Sequence, residues 1–204
     1  MDTIKHIFEK FHVDPKECTP ANITCNRLTD LPDLFKELGF TSGAEIGVLG
    51  GVYSEVLCQS NPAMQIFSID AWEYYPVYKD FRKPKHYPAI YEDAKNRLSK
   101  YPNSTIIRKW SLDAVKDFED ESLDFVFIDG DHRFEAVTND IAQWSKKVRK
   151  GGIVSGHDYG VRRHEFVHVT DVVDAWTKSH KISPWFILNG PEGAHDTGWM
   201  WVKN

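Results

Sequence analysis

The 204-residue sequence lacks several features that would settle its class at once. No apolar run approaches the roughly 20 residues needed to span a bilayer, so no membrane segment is expected. The opening MDTIKHIFEKFHV sets Asp2, Lys5, Glu9 and Lys10 among its apolar residues, which leaves no uncharged core for a secretory leader. Cysteine is scarce. Cys18, Cys25 and Cys58 are odd in number and show no C-x-x-C spacing, so free thiols in a reducing cytoplasm are expected rather than disulfides or a zinc site. A positive balance is missing too, and the formal charge of -5 argues against a nucleic acid as principal partner. Repeats, low-complexity tracts and long linkers are absent as well. What is there, 41% apolar and 27% charged residues, suits one folded α/β domain over residues 1–204.

Apolar spacing divides the chain into elements. Ile4, Ile7, Phe8 and Phe11 form one helical stripe, and a second helix is predicted from Asp30 to Leu38, capped by Thr29 or Asp30 and ended by Gly39. Together they make residues 1–40 a helical N-terminal segment, with 13–28 read as irregular. Seven strands are predicted: Ala44–Val48, Gln65–Ile69, Ser104–Arg108, Leu123–Ile128, Ile153–Ser155, Trp185–Leu188 and Gly198–Val202. Between them fall helices at Tyr53–Gln59, from about Leu112, at Phe134–Val148 and near Thr170–Lys178. LDFVFI is apolar almost throughout, as a central parallel strand covered on both faces should be. Strand–helix alternation implies a doubly wound, Rossmann-like α/β fold with helices on both faces. The last two strands are joined too tightly for a helical crossover, so they should close the sheet as an antiparallel hairpin.

Chemistry-bearing residues gather at predicted strand ends, where open α/β sheets bind ligands. In the turn Glu45-Ile46-Gly47-Val48-Leu49-Gly50-Gly51, glycines let backbone approach a ligand, and the helix that follows offers amides to a carboxylate. Glu45 suits a cationic amino or sulfonium group, and Ser54 can cap the helix or bind the ligand. Asp70 ends the next strand, where it can accept from ribose hydroxyls. Trp72 could lie against an adenine, with Trp110-Ser111-Leu112-Asp113 as the opposite wall. A second constellation, Asp129-Gly130-Asp131-His132 and Gly156-His157-Asp158-Tyr159, brings carboxylates and imidazoles to neighbouring strand ends. Such a set serves a hard divalent metal or general-base catalysis.

Glu-x-Gly-x-x-x-Gly, then Ser-Ile-Asp-Ala-Trp, then Phe-Ile-Asp-Gly-Asp-His resemble class I S-adenosylmethionine-dependent methyltransferases, and most of all methyltransferase family 24, the group that includes macrocin-type O-methyltransferases. The resemblance covers roughly residues 40–160. Leu49 stands where the commoner Gly-x-Gly-x-Gly pattern has its middle glycine. The resemblance implies S-adenosylmethionine as cofactor, with Glu45, Gly47, Gly51, Asp70 and Asp129 lining the donor pocket. It implies O-methylation of a small-molecule acceptor, with His132 as base beside Asp129, and Asp129, His157 and Asp158 as candidate ligands for Mg2+. Histidine is an unusual magnesium ligand, because its nitrogen is softer than the oxygens that ion favours.

Residues 71–92 are rich in aromatics mixed with Lys79, Arg82, Lys83 and Lys85. They read as a lid or substrate wall, or as a contact in a homo-oligomer. Arg162-Arg163-His164 reads as a solvated loop. Two other functions fit the same fold: a non-catalytic nucleotide-binding scaffold, and an NAD-dependent oxidoreductase. The missing G-x-G-x-x-G and the closing hairpin weigh against the oxidoreductase.

Overall fold

The computed structural model describes residues 2–16, 19–76, 83–161, 166–190 and 197–204. Cys18, Lys79, Arg82 and the Arg162–His164 run lie outside them. Along the chain come α1 (Thr3–Lys10), β1 (Ala21–Thr24), α2 (Asp30–Glu37), β2 (Ser42–Ile46), α3 (Val52–Ser60), β3 (Gln65–Asp70), α4 (Tyr87–Leu98) and β4 (Ser104–Arg108). Then follow α5 (Ser111–Ala114), β5 (Leu123–Ile128), α6 (Phe134–Lys147), β6 (Val148–His157), α7 (Val169–Ser179), β7 (Trp185–Asn189) and β8 (Thr197–Val202). Among the described residues no helix is long and apolar enough to cross a membrane. Cys25 and Cys58 are buried and form no disulfide among the described residues.

The sheet has eight strands, in the order β1-β7-β8-β6-β5-β2-β3-β4. β8 runs antiparallel between β6 and β7, and every other pairing is parallel. The closing hairpin is therefore as expected, while the count of seven is one short. The extra strand, β1, lies in the stretch read as irregular and pairs with β7 at the sheet edge. Only Ala21 and Ile23 turn inward, which is too little for an alternating pattern to register. β6 starts earlier than predicted, at Val148, and crosses Gly151–Gly152 through a register irregularity opposite Leu123–Phe125. α4 begins at Tyr87, inside the aromatic stretch read as an insert.

The period of two in β5 explains its unbroken apolar run. Phe125 and Phe127 face the cluster formed with Ile7, Leu31, Leu34 and Leu57 of α1–α3. Val126 and Ile128 face the opposite cluster, with Val137, Ile141 and Trp144 of α6 and Val172 and Val173 of α7. At the sheet's amino end Asp124 accepts from the Thr41 amide at 2.6 Å, the Ser42 amide at 3.0 Å and Arg149 Nε at 2.6 Å. From β2 the chain steps outward to β3 and β4, then returns to β5 on β2's other side. The turns that follow β2 and β5 therefore diverge and open a crevice at the strands' carboxyl ends.

Candidate active site

The turn after β2 forms the crevice floor. Gly47 has φ +90°, and a Cβ there would sit 2.2 Å from the Asp129 carbonyl oxygen, so only glycine lets the two strand ends meet. Gly51, at φ +77°, precedes α3, and Gly50 faces open space. The turn is held from three sides. Asp70 Oδ2 accepts from the Val48 and Leu49 amides at 3.0 and 2.9 Å. Trp72 Nε1 donates to the Leu49 carbonyl at 2.8 Å. Arg97 Nε donates to the Gly50 carbonyl at 3.0 Å and its guanidinium pairs with Glu55.

Asp70 thus stands beside the Gly47 turn, as predicted, but three amides already engage it, the third being Trp72 N on Oδ1 at 2.7 Å. A carboxylate offers about four acceptor positions, which leaves little for a ribose. Trp72, expected against an adenine, is 2% exposed and packs with Val48, Ala94 and Leu98 beneath the turn. Among the described residues, Trp110 and Tyr75 are exposed aromatics with rings 5.6 Å apart. Arg133, paired with Asp131, lies 4.9 Å from the Tyr75 ring.

Two serines expected at the ligand serve buried acids instead. Ser54 is fully buried and donates to Glu45 Oε2, with Ser68 Oγ at 2.7 Å. Burial, first of all, pushes the Glu45 carboxyl up to about 8. Ser111 Oγ donates to Asp140 and accepts from Trp144 Nε1 at 2.8 Å. Asp140, which the sequence did not single out, is pushed up to about 7 by its burial.

The second constellation does converge. His132 Nε2 lies 3.0 Å from Asp158 Oδ2 and 3.4 Å from Asp129 Oδ1. His157 Nδ1 lies 3.2 Å from Asp158 Oδ1 and 3.8 Å from Asp129 Oδ1. The trio whose candidate ligand atoms all lie within 4.8 Å of one another is Asp129, His132 and Asp158, with His132 where His157 was expected.

The model of the family described as a methyltransferase domain, methyltransferase family 24, matches residues 44–159, more than half of the chain. The chain belongs to that family, within the class I S-adenosylmethionine-dependent methyltransferases. The uncharacterized protein y4gI of Sinorhizobium fredii is 26% identical over 125 residues, which make up 61% of this chain but 13% of that protein. The chain therefore spans only a small part of this curated relative. Among solved structures, an O-methyltransferase from Bacillus cereus in complex with SAH aligns with TM-score 0.64 at 16% identity, over 100% of this chain and 91% of that one. The O-methyltransferase TomG from Streptomyces achromogenes, in complex with SAM, aligns with TM-score 0.62 at 16% identity, over 100% and 90%. At that identity the likeness is one of fold.

In this member of the family the charges of the crevice are mutually arranged. Burial works against the charged form of His132, but the Asp129 bond and the Asp129 and Asp158 charges outweigh it and raise its proton affinity. Burial also opposes ionisation of Asp158, yet its bond to His157 and the His132, His157 and Arg27 charges hold it below the usual range. Arg27, in the segment read as irregular, is a member that sequence spacing could not supply: its Nη1 is 3.9 Å from Asp129 Oδ2.

Proposed function

We propose that this methyltransferase carries a methyl group from S-adenosylmethionine to a hydroxyl oxygen of a small-molecule acceptor. The observation that carries the reading is that the Gly47–Gly51 turn and the Asp129–His132–Asp158 trio border one crevice, joined where the Asp129 amide donates to the Ile46 carbonyl at 2.8 Å. The two similar folds that hold SAH or SAM support the donor. On this reading Glu45 faces the donor's cationic end, Gly47 and Gly51 admit its backbone contacts, and Trp110 and Tyr75 take the adenine-facing role expected of Trp72. Asp70 holds the turn and keeps at most one acceptor position for the ribose. Ser111 acts at one remove, through Asp140.

Methyl transfer is an in-line displacement. The acceptor oxygen bonds to the methyl carbon as the carbon–sulfur bond breaks, and that electron pair turns the sulfonium into a neutral thioether. The acceptor must also lose its proton. His132 is the group to take it, since the imidazolium so formed lies beside Asp158 and Asp129.

The donor set also fits a divalent ion, with two carboxylates and an imidazole close enough to share one centre. Asp129, Asp158 and His132 would hold it, and the ion would then take over the part given to His132 by lowering the pKa of an acceptor hydroxyl. The nitrogen donor moves the preference from Mg2+ toward a softer ion such as Mn2+.

The test is calorimetry with S-adenosylmethionine, with and without divalent ion, followed by transfer from methyl-labelled donor to a panel of hydroxyl acceptors. His132→Ala should lower turnover by roughly 10²-fold or more and leave donor affinity nearly unchanged. Donor binding without transfer to any acceptor would instead favour a scaffold.

A further inference from the structure

A base serves only while its ring keeps its place, and small displacements cost rate steeply. His132 lies in the turn between β5 and α6, and its partner Asp158 lies just past β6. The parallel pairing of β5 with β6 ends at Ile128 and Gly156, short of both. Beyond that point α7 bridges them. It is a firm frame, since Val169, Val172 and Val173 are at most 3% exposed and pack in the cluster that holds Val137 and Ile141 of α6.

The start of α7 grips both halves of the pair. On the Asp158 side, Thr170 Oγ1 accepts from the Gly160 amide at 2.8 Å, and Asp174 Oδ1 accepts from the Tyr159 hydroxyl at 2.8 Å. On the His132 side, one residue makes two bonds. The His168 amide donates to the His132 carbonyl at 2.8 Å, and His168 Nδ1 accepts from the Phe134 amide at 3.2 Å. The second bond answers a need of α6. The first amides of a helix find no partner within it, and Arg133 at the N-cap of α6 gives them no side-chain bond. The His168 imidazole supplies that acceptor from another helix. Its two bonds flank Arg133, whose own amide donates to Asp131 Oδ1 at 3.0 Å. The backbone from His132 to Phe134 is therefore held at each residue, and the His132 ring meets Asp158 Oδ2 at 3.0 Å.

We propose that His168 is a positioning residue for His132: it ties the β5–α6 turn to α7 and so sets the base against Asp158. The assignment rests on the reading of His132 as base. Its test pairs turnover on the acceptor panel with proton–nitrogen NMR of the histidine rings, taken without donor or metal. The His132 signals are assigned by their loss in His132→Gln. His168→Ala should shift those signals and lower turnover roughly tenfold or more, with affinity for S-adenosylmethionine unchanged by calorimetry. His168→Asn, whose Oδ1 can accept in place of Nδ1, should restore both. His168→Gln carries its oxygen one bond further out, so it should behave as the alanine variant does, and it replaces that variant if circular dichroism shows alanine unfolded. A merely structural residue would lower Tm and leave the His132 signals in place. His132 signals that do not move in His168→Ala, or that move as far in His168→Asn, would overturn the assignment while leaving the base reading intact. Turnover that survives in His132→Ala would overturn the base reading, and this assignment with it.

Discussion

Glu45→Gln tests the site through stability, without any need to know the acceptor. The wild-type carboxyl is 3% exposed, and its Oε2 accepts from Ser54. Burial, aided by the Asp129 and Asp70 charges, lifts it from 4.5 to about 8, against the Ser54 bond and the Arg27 charge. The folded protein thus keeps a proton that the unfolded chain releases near 4.5. Folding is favoured in full below that value and loses stability as pH climbs through the window up to about 8. Each pH unit inside the window is worth ~1.4 kcal/mol, so about 3 kcal/mol separates about pH 5.5 from about pH 8.5. Glutamine keeps an oxygen for Ser54 and has no proton to lose. The stability difference between Glu45→Gln and wild type should therefore move in the variant's favour by about 3 kcal/mol across that range. Urea unfolding followed by tryptophan fluorescence, without donor, measures it. A difference that is flat, or that moves in favour of wild type with rising pH, would mean Glu45 is ionised in the fold, and the argument from its burial would fail.

Asp70→Ala removes the acceptor for the Val48, Leu49 and Trp72 amides; donor affinity should drop roughly tenfold or more by calorimetry, with partial recovery in Asp70→Asn. Unchanged affinity in the alanine variant would take Asp70 out of the site. Trp110→Ala removes a ring that is 43% exposed, so it should weaken donor binding by about 1–3 kcal/mol, the value of stacking on a base, with little change in Tm; a lower Tm at constant affinity would make the ring structural. Burial opposes ionisation of Asp124, but the Thr41, Arg149 and Ser42 bonds prevail and hold its carboxyl low. Asp124→Asn should thus cost about 3 kcal/mol at neutral pH, with the gap closing as pH falls below the unfolded value of 3.8; a gap that persists in acid would refute the charge assignment.

Most of the sheet was legible because its strands announce themselves locally. LDFVFI is apolar on both faces, and the short link after Asn189 allows only a hairpin. β1 escaped because its four residues bury two small patches on one side. The site was legible only as far as backbone position goes. Glycines and acids at strand ends pointed to the crevice, and the His132 cluster formed where neighbouring strands required it. Side-chain partners did not follow from position. Ser54 and Ser111 look like helix-start residues free to meet a ligand, yet the acids that engage them, Glu45 and Asp140, lie 9 and 29 residues away. Trp72 adjoins Asp70 in sequence, but its indole N–H finds the Leu49 carbonyl, which draws the ring under the turn. Arg27 reaches Asp129 from a distance in sequence that no motif spans.

The two ends of the sheet treat buried acids in opposite ways. At the amino end Asp124 is ionised and bonded on all sides, so it contributes to stability. At the carboxyl end Glu45 and Asp140 are pushed up to about 8 and about 7, so their ionised forms oppose folding. Six non-glycine residues among the described ones adopt left-handed φ, each at about 1–3 kcal/mol of strain. Three of them, Leu49, Trp72 and Asp158 at 51°, 47° and 59°, lie just past β2, β3 and β6, the others being His12, Glu121 and Lys181. A sequence selected for stability alone would have relieved these positions with glycine and with neutral side chains. They break local rules together, at the strands' carboxyl ends, where a cationic donor would supply the counter-charge that an ionised Glu45 lacks. That concentration is the physical ground for taking the crevice as a binding site, independent of any family likeness.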